Sequence, residues 1–455
     1  MKRTGLTYLS QWINKKNRKP LVIRGARQVG KSYLVHMFAE EQAFDLHEIN
    51  FELNPDYKDC FETKDPRRII ELIELKSGKR IEALKSVLFL DEIQAAPEVL
   101  ATLRYFYELM PQLPVVAAGS LLEFTLEEHS FSMPVGRIEY MHLGPMTFKE
   151  FLEGIGKPQL SEFLETFDLS DEMPSVVHNE LMDQFKKYLV VGGMPEAVQT
   201  YRDTGSLLEV DSVKQSILMT YRDDFSKYGK RVNSIRLQKV LQKLPGLVGK
   251  KIKYVKIDRA EKAADIRTAL HLLSLARVYY PVIHTAANGV PLGAEANEKF
   301  QKPLFLDVGL LNKACGLSLI DINEAEDITL INAGAVCEQF IGQHLLYSGQ
   351  NYDEPELYYW VREKRQSSSE IDYLISVGTK IIPVEVKSGK TGTLKSLNVF
   401  LKEKNISFAV RFNADRPSFH RADFSLPGVT GNFRLLSLPL YFVEEVKRLI
   451  KAIEK

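Results

Sequence analysis

Residues 20–40 read PLVIRGARQVGKSYLVHMFAE, and they indicate the fold of the N-terminal part of the chain. The apolar run at 21–23 predicts a strand, a glycine-bounded loop follows, and an amphipathic helix comes next, as the pattern G-x-x-x-x-G-K-[ST] requires. In such a loop backbone N–H groups surround a phosphate, the lysine reaches the β- and γ-phosphates, and the serine hydroxyl holds Mg²⁺. The stretch therefore predicts a site for ATP and Mg²⁺. The predicted binding residues are Gly25, Ala26, Arg27, Gln28, Val29, Gly30, Lys31 and Ser32.

A second predicted strand ends in two acids. In KSVLFLDEIQAAPEVL (85–100), the continuous apolar run at 87–90 is typical of a parallel strand that is buried on both faces. Asp91 at its carboxyl end is a predicted Mg²⁺ ligand, and Glu92 is predicted to orient the attacking water. The alternative is an acidic turn that merely follows a strand.

Two further residues are candidates for sensing or stabilising the γ-phosphate. Ser120 follows the third predicted strand in LPVVAAGSLL (113–122), although a serine after a glycine also simply makes a turn. Arg137 lies in SMPVGRIEYMHLGPMTFKEFL (132–152) and could act as an arginine finger, in cis or in trans. A structural or exposed arginine is the alternative for Arg137.

Composition describes an ordinary globular chain of several domains. It has 455 residues, 45% of them hydrophobic and 26% charged, with a net charge of +1. Cys60, Cys315 and Cys337 lack metal-ligand spacing, which argues against a structural zinc site and favours a reducing compartment. No signal peptide or membrane span is recognisable, so we expect a cytoplasmic protein.

Positive charge is concentrated in the middle of the chain. Residues 226–270 contain thirteen Lys and Arg and three Asp and Glu. Short helices separated by turns and followed by β-type sequence suggest a winged-helix-like module, which would bind DNA mainly through its phosphates. The alternatives are a solvated helical face, or a surface that contacts an acidic part of another domain.

The C-terminal third combines a strand pattern with charged residues. KIIPVEVKSGK (380–390) is apolar enough to be a buried strand, yet it contains Glu385 and Lys387. An α-β-β-β-α-β order surrounds it, and Asp372 precedes Glu385 with the D-x12-E-x-K spacing of the PD-(D/E)XK nucleases. We therefore predict a restriction-endonuclease-like fold in which Asp372, Glu385 and Glu338 hold Mg²⁺ and Lys387 activates water. An exposed edge strand or a purely structural ion pair are the alternatives, and Ile371 stands where these nucleases have proline.

Several motifs together resemble the prokaryotic AAA-type ATP-binding proteins that are fused to a C-terminal domain of unknown function (the 4143 type). These motifs are IRGARQVGKS (23–32), LFLDEIQ (88–94), AAGSLLEF (117–124), GRIEYMHLGPMTFKEFL (136–152), GGMPEAV (192–198) and KPLFLDVGLLNKACG (302–316). The resemblance covers nearly the whole chain, and it also implies a winged-helix-like domain in the middle. GGMPEAV would lie in a small lid beside the nucleotide.

The expected architecture is α/β, in four parts. We predict a P-loop ATPase core at 1–150, a helical lid at 151–225, a winged-helix-like basic domain at 226–315 and a restriction-endonuclease-like domain at 316–455. The leading hypothesis is an ATPase whose nucleotide state regulates a DNA-associated, nuclease-like domain. The alternatives are an ATP-regulated, metal-dependent DNA nuclease and a nucleotide-switched scaffold that binds a protein partner or a second copy of the chain.

Overall fold

The protein forms two compact units. A computed structural model describes residues 1–120, 122–123, 136–224, 233–316, 333–364, 367–389, 394–426 and 429–454. Unit 1 comprises Met1–Gly144, Leu275–Val278 and Gln350–Glu354, and unit 2 comprises Pro145–Ser274, Tyr279–Gly349 and Pro355–Lys455. This division is coarser than the four-part division predicted from the sequence, which stays a prediction.

Unit 1 is built on a parallel sheet whose strands, among the described residues, lie in the order β2-β3-β4-β1-β5. Its helices are α1 Thr4–Ile13, α2 Lys31–Glu41, α3 Pro66–Ser77 and α4 Leu103–Leu109, its short 3₁₀ helices are Pro55–Phe61, Ile93–Ala95 and Pro97–Thr102, and its strands are β1 Leu21–Arg24, β2 Asp45–Asn50, β3 Ser86–Asp91, β4 Val115–Gly119 and β5 Glu139–His142.

Local sequence explains these elements. Every residue of β3 and β4 is buried, as expected for central parallel strands covered on both faces. Helix α3 begins after Asp65, whose side chain accepts the Arg67 N–H, and ends at Gly78 in the left-handed conformation. The apolar core includes Ile69 and Leu88. Because β1, β3 and β4 are neighbours, their carboxyl ends meet at one edge of the sheet, where ligands of open α/β sheets bind.

Two short segments from far along the chain complete unit 1. The buried Arg277, in the left-handed conformation (φ 58°), donates to Glu123 Oε1 at 3.2 Å and to Glu354 Oε1 at 3.0 Å. The His142 N–H donates to the Asn351 carbonyl at 2.7 Å. The local sequence gives no indication of these contacts. Because unit 1 includes segments that are far apart in the sequence, no single continuous stretch of the chain contains all of it.

Unit 2 contains a helical part and a mixed sheet. Its helices are α5 Phe148–Gly154, α6 Pro158–Thr166, α7 Ser175–Val191, α8 Pro195–Thr204, α9 Leu207–Asp224, α10 Ser234–Lys243, α11 Tyr254–Ile257, α12 Ala263–Leu275, α13 Val308–Ala314, α14 Ala333–Leu346, α15 Lys395–Lys404 and α16 Val446–Ile453, with 3₁₀ helices at Pro245–Leu247, Leu292–Glu295 and Leu440–Glu445. Its strands are β6 Tyr279–Thr285, β7 Ala296–Phe305, β8 Leu357–Lys364, β9 Ser367–Val377, β10 Lys380–Val386, β11 Phe408–Asn413, β12 Ser418–Leu426 and β13 Val429–Pro439.

The sheet of unit 2 runs, among the described residues, in the order β12-β13-β11-β10-β9-β8-β6-β7. The predicted α-β-β-β-α-β order is present as α14, β8, β9, β10, α15 and β11. Strands β8, β9 and β10 form an antiparallel meander, and β11 pairs parallel to β10. Because β10 lies between β9 and β11, the edge-strand alternative for Glu385 and Lys387 is wrong. Six of its seven residues are buried.

The β-type sequence that follows the basic helices forms a hairpin that joins this same sheet. Strands β6 and β7 pair antiparallel, and β6 pairs parallel to β8 through Ile283 and Tyr358. The pairing therefore crosses the domain boundary predicted at residues 315 and 316. The physical reason is that β6 and β8 are apolar strands that gain hydrogen bonds and burial by pairing, although they are far apart in the sequence.

In the part of the chain that the structure describes, no helix has the length and apolar character needed to cross a membrane.

Candidate ATP site and a carboxylate–lysine cluster

The glycine loop between β1 and α2 has the backbone that a phosphate site needs. Gly30 (φ 89°) and Gln28 (φ 63°) adopt left-handed backbone, and α2 begins directly after Gly30. A Cβ atom on Gly25 would lie 2.2 Å from the Leu143 carbonyl oxygen, so only glycine fits there. The loop is therefore curled tightly at the carboxyl end of β1, with the α2 N-terminus beside it.

Lys31 is buried within this loop. Its ammonium donates to the carbonyls of Gly25 at 3.1 Å and Ala26 at 2.8 Å. Burial lowers the pKa of Lys31 to about 8, against the opposing effect of nearby acids, Glu92 first. A phosphate anion would compensate this burial, because it offers the ammonium charged acceptors in place of neutral carbonyls.

Ser32 and Asp91 lie in contact across the site. The Ser32 hydroxyl donates to Asp91 Oδ2 at 2.9 Å, and the Asn50 amide reaches the same oxygen at 3.4 Å. Burial raises the pKa of Asp91. A hydroxyl and a carboxylate placed together at the α2 N-terminus are the oxygen donors that Mg²⁺ takes beside a bound triphosphate, so these residues fit the predicted cation.

Glu92 and Ser120 complete this edge of the sheet. Glu92 has left-handed backbone (φ 50°), its carboxylate accepts from the Gln94 amide, and burial raises its pKa. Ser120 is buried directly after β4, and its hydroxyl has no hydrogen-bond partner among the described residues. An unpartnered buried hydroxyl is costly, so a ligand oxygen would relieve it.

Arg137 forms an ion pair on the surface of unit 1. Its Nε donates to Glu108 Oε1 at 2.9 Å, and Arg104 Nε donates to the same oxygen at 3.0 Å. The side chain of Arg137 is 44% exposed, and its hydrogen bond is the main cause that lowers the pKa of Glu108. The finger role of Arg137 stays a prediction.

Sequence reasoning missed two residues of unit 1. Glu123 raises the pKa of Lys31 against the effect of burial, which places its charge within electrostatic reach of the loop, and Arg277 neutralises Glu123. The available signal for Arg277 was an isolated arginine between an apolar helix and an apolar strand. Nothing in the local sequence names its partner.

In unit 2, the predicted Asp372, Glu385 and Lys387 come together. Strands β9 and β10 pair Tyr373 with Val384, and continuing this register by one step places Asp372 opposite Glu385. Asp372 Oδ2 accepts the Val386 N–H at 2.8 Å, and Lys387 donates to Glu385 Oε1 at 2.6 Å. Burial, and then the like charge of Asp372, raise the pKa of Glu385 to about 8.

Glu338, the fourth predicted residue, contacts a lysine that sequence reasoning missed. The buried Lys302 ammonium of β7 donates to Glu338 Oε1 at 2.7 Å, and it lies 3.0 Å from Glu370 Oε1. Burial raises the pKa of Glu338 to about 7. We call Lys302, Glu338, Glu370, Asp372, Glu385 and Lys387 the carboxylate–lysine cluster. The sequence feature that could have pointed to Lys302 is its place at the start of the apolar stretch KPLFL (302–306).

Within the described residues, no group of three or more His, Cys, Asp and Glu side chains is arranged to hold a metal ion. This applies to the carboxylate–lysine cluster as well, where lysines contact the acids. The metal roles predicted for Glu338, Asp372 and Glu385 therefore receive no support from the geometry and stay predictions.

The basic segment presents exposed cations. Its acids are engaged internally, because Arg236 pairs with Glu261 at 2.8 Å and Asp265 at 3.5 Å, and Lys239 pairs with Asp258 at 3.3 Å. Three predicted cations, at 227, 230 and 231, lie outside the described residues. The exposed cations in the described part of the segment are Lys239, Lys243, Lys250, Lys253, Lys256, Arg259, Lys262 and Arg267.

The parallel sheet of unit 1 and the glycine loop at its edge define an α/β fold of the P-loop NTPase class. Family models match an AAA domain at residues 17–152, a domain of unknown function (DUF8612) at 182–321 and a domain of unknown function (DUF4143) at 333–425. The chain therefore contains an AAA domain and a C-terminal domain of the 4143 type, which confirms the resemblance seen in its motifs. Comparison with curated protein sequences gives no match.

Solved structures with detectable similarity are distant. Aeropyrum pernix ORC2 has 13% identity and a TM-score of 0.30, covering 61% of this chain and 85% of that one. Caenorhabditis elegans PCH-2 has 12% identity and a TM-score of 0.29, covering 47% and 67%. Thermotoga maritima RuvB has 15% identity and a TM-score of 0.28, covering 61% and 87%. At this distance the similarity carries no argument about function.

Proposed function

We propose that the protein binds and hydrolyses ATP with Mg²⁺, and that its nucleotide state regulates a DNA-associated, nuclease-like C-terminal domain. The observation that carries the hydrolysis proposal is the contact of Ser32 with Asp91 at 2.9 Å, at the edge of the sheet where Lys31 and Glu92 also lie. ATP hydrolysis requires a group that contacts the phosphate, ligands for the cation and a group that orients water. Lys31 is the first, Ser32 and Asp91 are the second, and Glu92 is the third.

Each residue has a distinct part in this proposal. Lys31 would exchange the carbonyls of its own loop for β- and γ-phosphate oxygens, while Ser32 and Asp91 would hold Mg²⁺. The bound cation would neutralise charge on the phosphoryl oxygens. Glu92 would orient water and accept its proton, which its raised pKa favours, and the Ser120 hydroxyl would contact the γ-phosphate.

Two substitutions separate binding from turnover. Lys31→Ala should weaken ATP binding by about tenfold to a hundredfold, because a charge-assisted hydrogen bond contributes about 1.5–3 kcal/mol. Glu92→Gln should keep ATP bound and lower the hydrolysis rate by about 10²–10⁴-fold, the range expected for a lost general base. The matched control is Glu98→Gln, an exposed glutamate in the same segment. Wild-type turnover in both Lys31→Ala and Glu92→Gln would exclude this site as the catalytic one.

DNA association is proposed from the exposed cations of the basic segment. Replacing Lys253, Lys256, Arg259 and Lys262 by alanine removes four exposed charges, each of which can release one counterion on binding a phosphate. We expect weaker binding to duplex DNA and a plot of log K against log salt that is shallower by up to about 4. The control removes three lysines and one arginine that are also exposed: Lys58, Lys64, Lys79 and Arg80. Equal affinity and salt dependence in both variants would contradict the assignment.

The other functions considered give different results in the same assays. Nicking of plasmid by the wild type with Mg²⁺ or Mn²⁺, lost in Asp372→Ala, would support the nuclease. Absent or salt-insensitive DNA binding would support the protein-binding scaffold, because phosphate contacts weaken steeply as salt rises. For Arg137, recovery of ATP turnover on mixing the Arg137→Ala and Lys31→Ala variants would support a finger donated in trans by a second copy.

A further inference from the structure

We propose that the Lys302 ammonium is the built-in cation of the carboxylate–lysine cluster, and that it occupies the place beside Glu338 where the predicted divalent metal ion would bind. This inference concerns unit 2 alone and does not depend on the ATP site. It addresses the metal centre that the D-x12-E-x-K spacing predicts, because the residues actually assembled there do not fit one.

Lys302 occupies the position of a coordinated cation. Its ammonium lies 2.7 Å from Glu338 Oε1, 3.0 Å from Glu370 Oε1 and 3.2 Å from the Asp372 carbonyl oxygen. These oxygens come from α14 and β9, whereas the lysine comes from β7. An ammonium has three N–H donors, so three oxygen contacts satisfy it completely.

The surroundings hold Lys302 in this position. Its side chain is 1% exposed, and the ammonium lies 5.0 Å from the centroid of the Tyr359 ring and 5.4 Å from that of Tyr373. Both distances fall within the range of cation–π attraction. The Tyr373 hydroxyl donates to the Glu338 carbonyl at 2.8 Å, which fixes that ring against α14. Burial and these ring contacts therefore hold the Lys302 ammonium away from solvent.

The remaining predicted ligands each have one oxygen engaged, while Glu385 Oε2 is buried without a hydrogen-bond partner among the described residues. Asp372 Oδ2 accepts the Val386 N–H at 2.8 Å, and Glu385 Oε1 accepts from Lys387 at 2.6 Å. A divalent ion requires about six oxygen ligands, and it would share the Glu338 carboxylate with a buried ammonium. Two cations that contact the same buried acids repel each other strongly, because the local dielectric constant is low. The geometry thus favours the lysine over the metal.

A second contact closes the cluster on the side of Glu338. Gly249 has left-handed backbone (φ 72°), and a Cβ atom there would lie 2.7 Å from Glu338 Oε2. The Gly249 backbone therefore lies close to this carboxylate, which leaves less room on this side for the water molecules that Mg²⁺ usually retains. The consequence for function is a domain that keeps the nuclease-like arrangement of strands without metal-dependent cleavage.

The test measures Mn²⁺ binding to the full chain by electron paramagnetic resonance, in the absence of nucleotide. All proteins carry Asp91→Asn, so that the predicted cation ligand of the ATP site does not contribute. We expect no Mn²⁺ bound at the cluster in the parent protein. Lys302→Met, which keeps the length of the side chain and removes its charge, should bind Mn²⁺ at least tenfold more tightly. Adding Glu338→Gln to Lys302→Met should abolish that gain.

Two outcomes would overturn the proposal. One is stoichiometric Mn²⁺ binding to the parent protein that is lost in Asp372→Asn, together with plasmid nicking that the same substitution abolishes. The other is a folded Lys302→Met protein, verified by circular dichroism, that gains no Mn²⁺ binding. If Lys302→Met fails to fold, the comparison of the parent with Asp372→Asn still decides, because the two hypotheses predict opposite results for the parent protein.

Discussion

At the scale of single residues, left-handed backbone marks the candidate ATP site. Gln28 and Glu92 are not glycines, yet they have φ angles of 63° and 50°. Such backbone costs of order 1–3 kcal/mol per residue and persists where the surrounding structure imposes it. The surrounding backbone fixes both φ angles, because Gln28 lies in the curled glycine loop and Glu92 lies directly after β3. The strain therefore lies at the loop and at the proposed water-orienting residue.

A buried histidine gives the second residue-scale feature. His344 Nε2 accepts the Phe148 N–H at 2.9 Å, and Nδ1 bonds the Phe340 carbonyl at 2.8 Å, so the ring is neutral with its proton on Nδ1. Burial lowers the pKa of His344 from 6.5 to about 4. This contact joins the first turn of α5, within the motif GPMTFKEFL (144–152), to α14.

The pH dependence of stability tests this histidine. Because the folded pKa lies below the unfolded one, the unfolded state binds more protons between pH 6.5 and about 4. The free energy of unfolding of unit 2 should therefore fall as the pH is lowered through this range, by up to roughly 3 kcal/mol. In His344→Gln this component should be absent, whereas the exposed His420→Gln control should keep it. Urea titrations at several pH values measure it, and equal acid sensitivity of the wild type and His344→Gln would refute the assignment.

At the scale of elements, the motif GGMPEAV (192–198) is a junction between two helices. Helix α7 ends at Gly192, which has a φ of 80°, and α8 begins at Pro195. Asp307 accepts the Gly193 N–H at 2.7 Å and caps α13 by accepting the Leu310 N–H at 2.9 Å. The motifs GGMPEAV and KPLFLDVG (302–309) therefore form one buried contact within unit 2. The position predicted for GGMPEAV, in a lid beside the nucleotide, stays a prediction.

Two glycines that end neighbouring helices test the junction. A Cβ atom at Gly192 would lie 2.2 Å from Asp307 Oδ1, whereas at Gly205, which ends α8 with a φ of 67°, nothing lies within 4 Å. Gly205→Ala should cost only the left-handed backbone, about 1–2 kcal/mol. Gly192→Ala adds a steric overlap with a buried carboxylate and should cost a further 1–3 kcal/mol or so. Denaturant midpoints compare them, and equal losses would show that the Asp307 contact does not constrain Gly192.

At the scale of the whole molecule, chain order and compact units do not coincide. Unit 1 takes in 275–278 and 350–354, both far in sequence from 1–144. The ion pairs of Arg277 with Glu123 and Glu354 hold these two segments within unit 1. A truncated chain that ends near residue 150 would therefore lack part of unit 1 and leave the buried Glu123 without its cation, which is costly.

Nucleotide binding should stabilise unit 1 by mass action. A ligand that binds only the folded state contributes about 2.7 kcal/mol at a concentration a hundredfold above its Kd. Hydrogen exchange measured by mass spectrometry should therefore slow in β1, β3 and β4 when Mg²⁺ and ATP are added to Glu92→Gln, which is expected to bind ATP without turning it over. Lys31→Ala serves as the control and should show no such slowing. Unchanged exchange in these strands at saturating ATP would contradict the proposed site.

Local pattern was sufficient for much of this protein. Short sequence patterns predicted the glycine loop, the acids at the end of β3 and the order of elements from α14 to β11. This is possible because phosphate binding at a helix N-terminus and burial of alternating side chains depend on residues that are close in the sequence. The position of β10 inside its sheet followed from the same order. By contrast, the pairing of β6 with β8 was not predicted, because the sequence of a strand does not state which distant strand it pairs with. The winged-helix-like module stays a prediction.

Sequence patterns were enough to predict a P-loop fold followed by a sheet with Asp372, Glu385 and Lys387. The partners of the buried charges became known only from the folded structure, namely Lys302 for Glu338 and Glu370, and Arg277 for Glu123. The physical reason is that a buried charge must be compensated by whichever opposite charge the fold brings within a few ångströms. That choice depends on strand order and register across tens to hundreds of residues, and no local spacing encodes it.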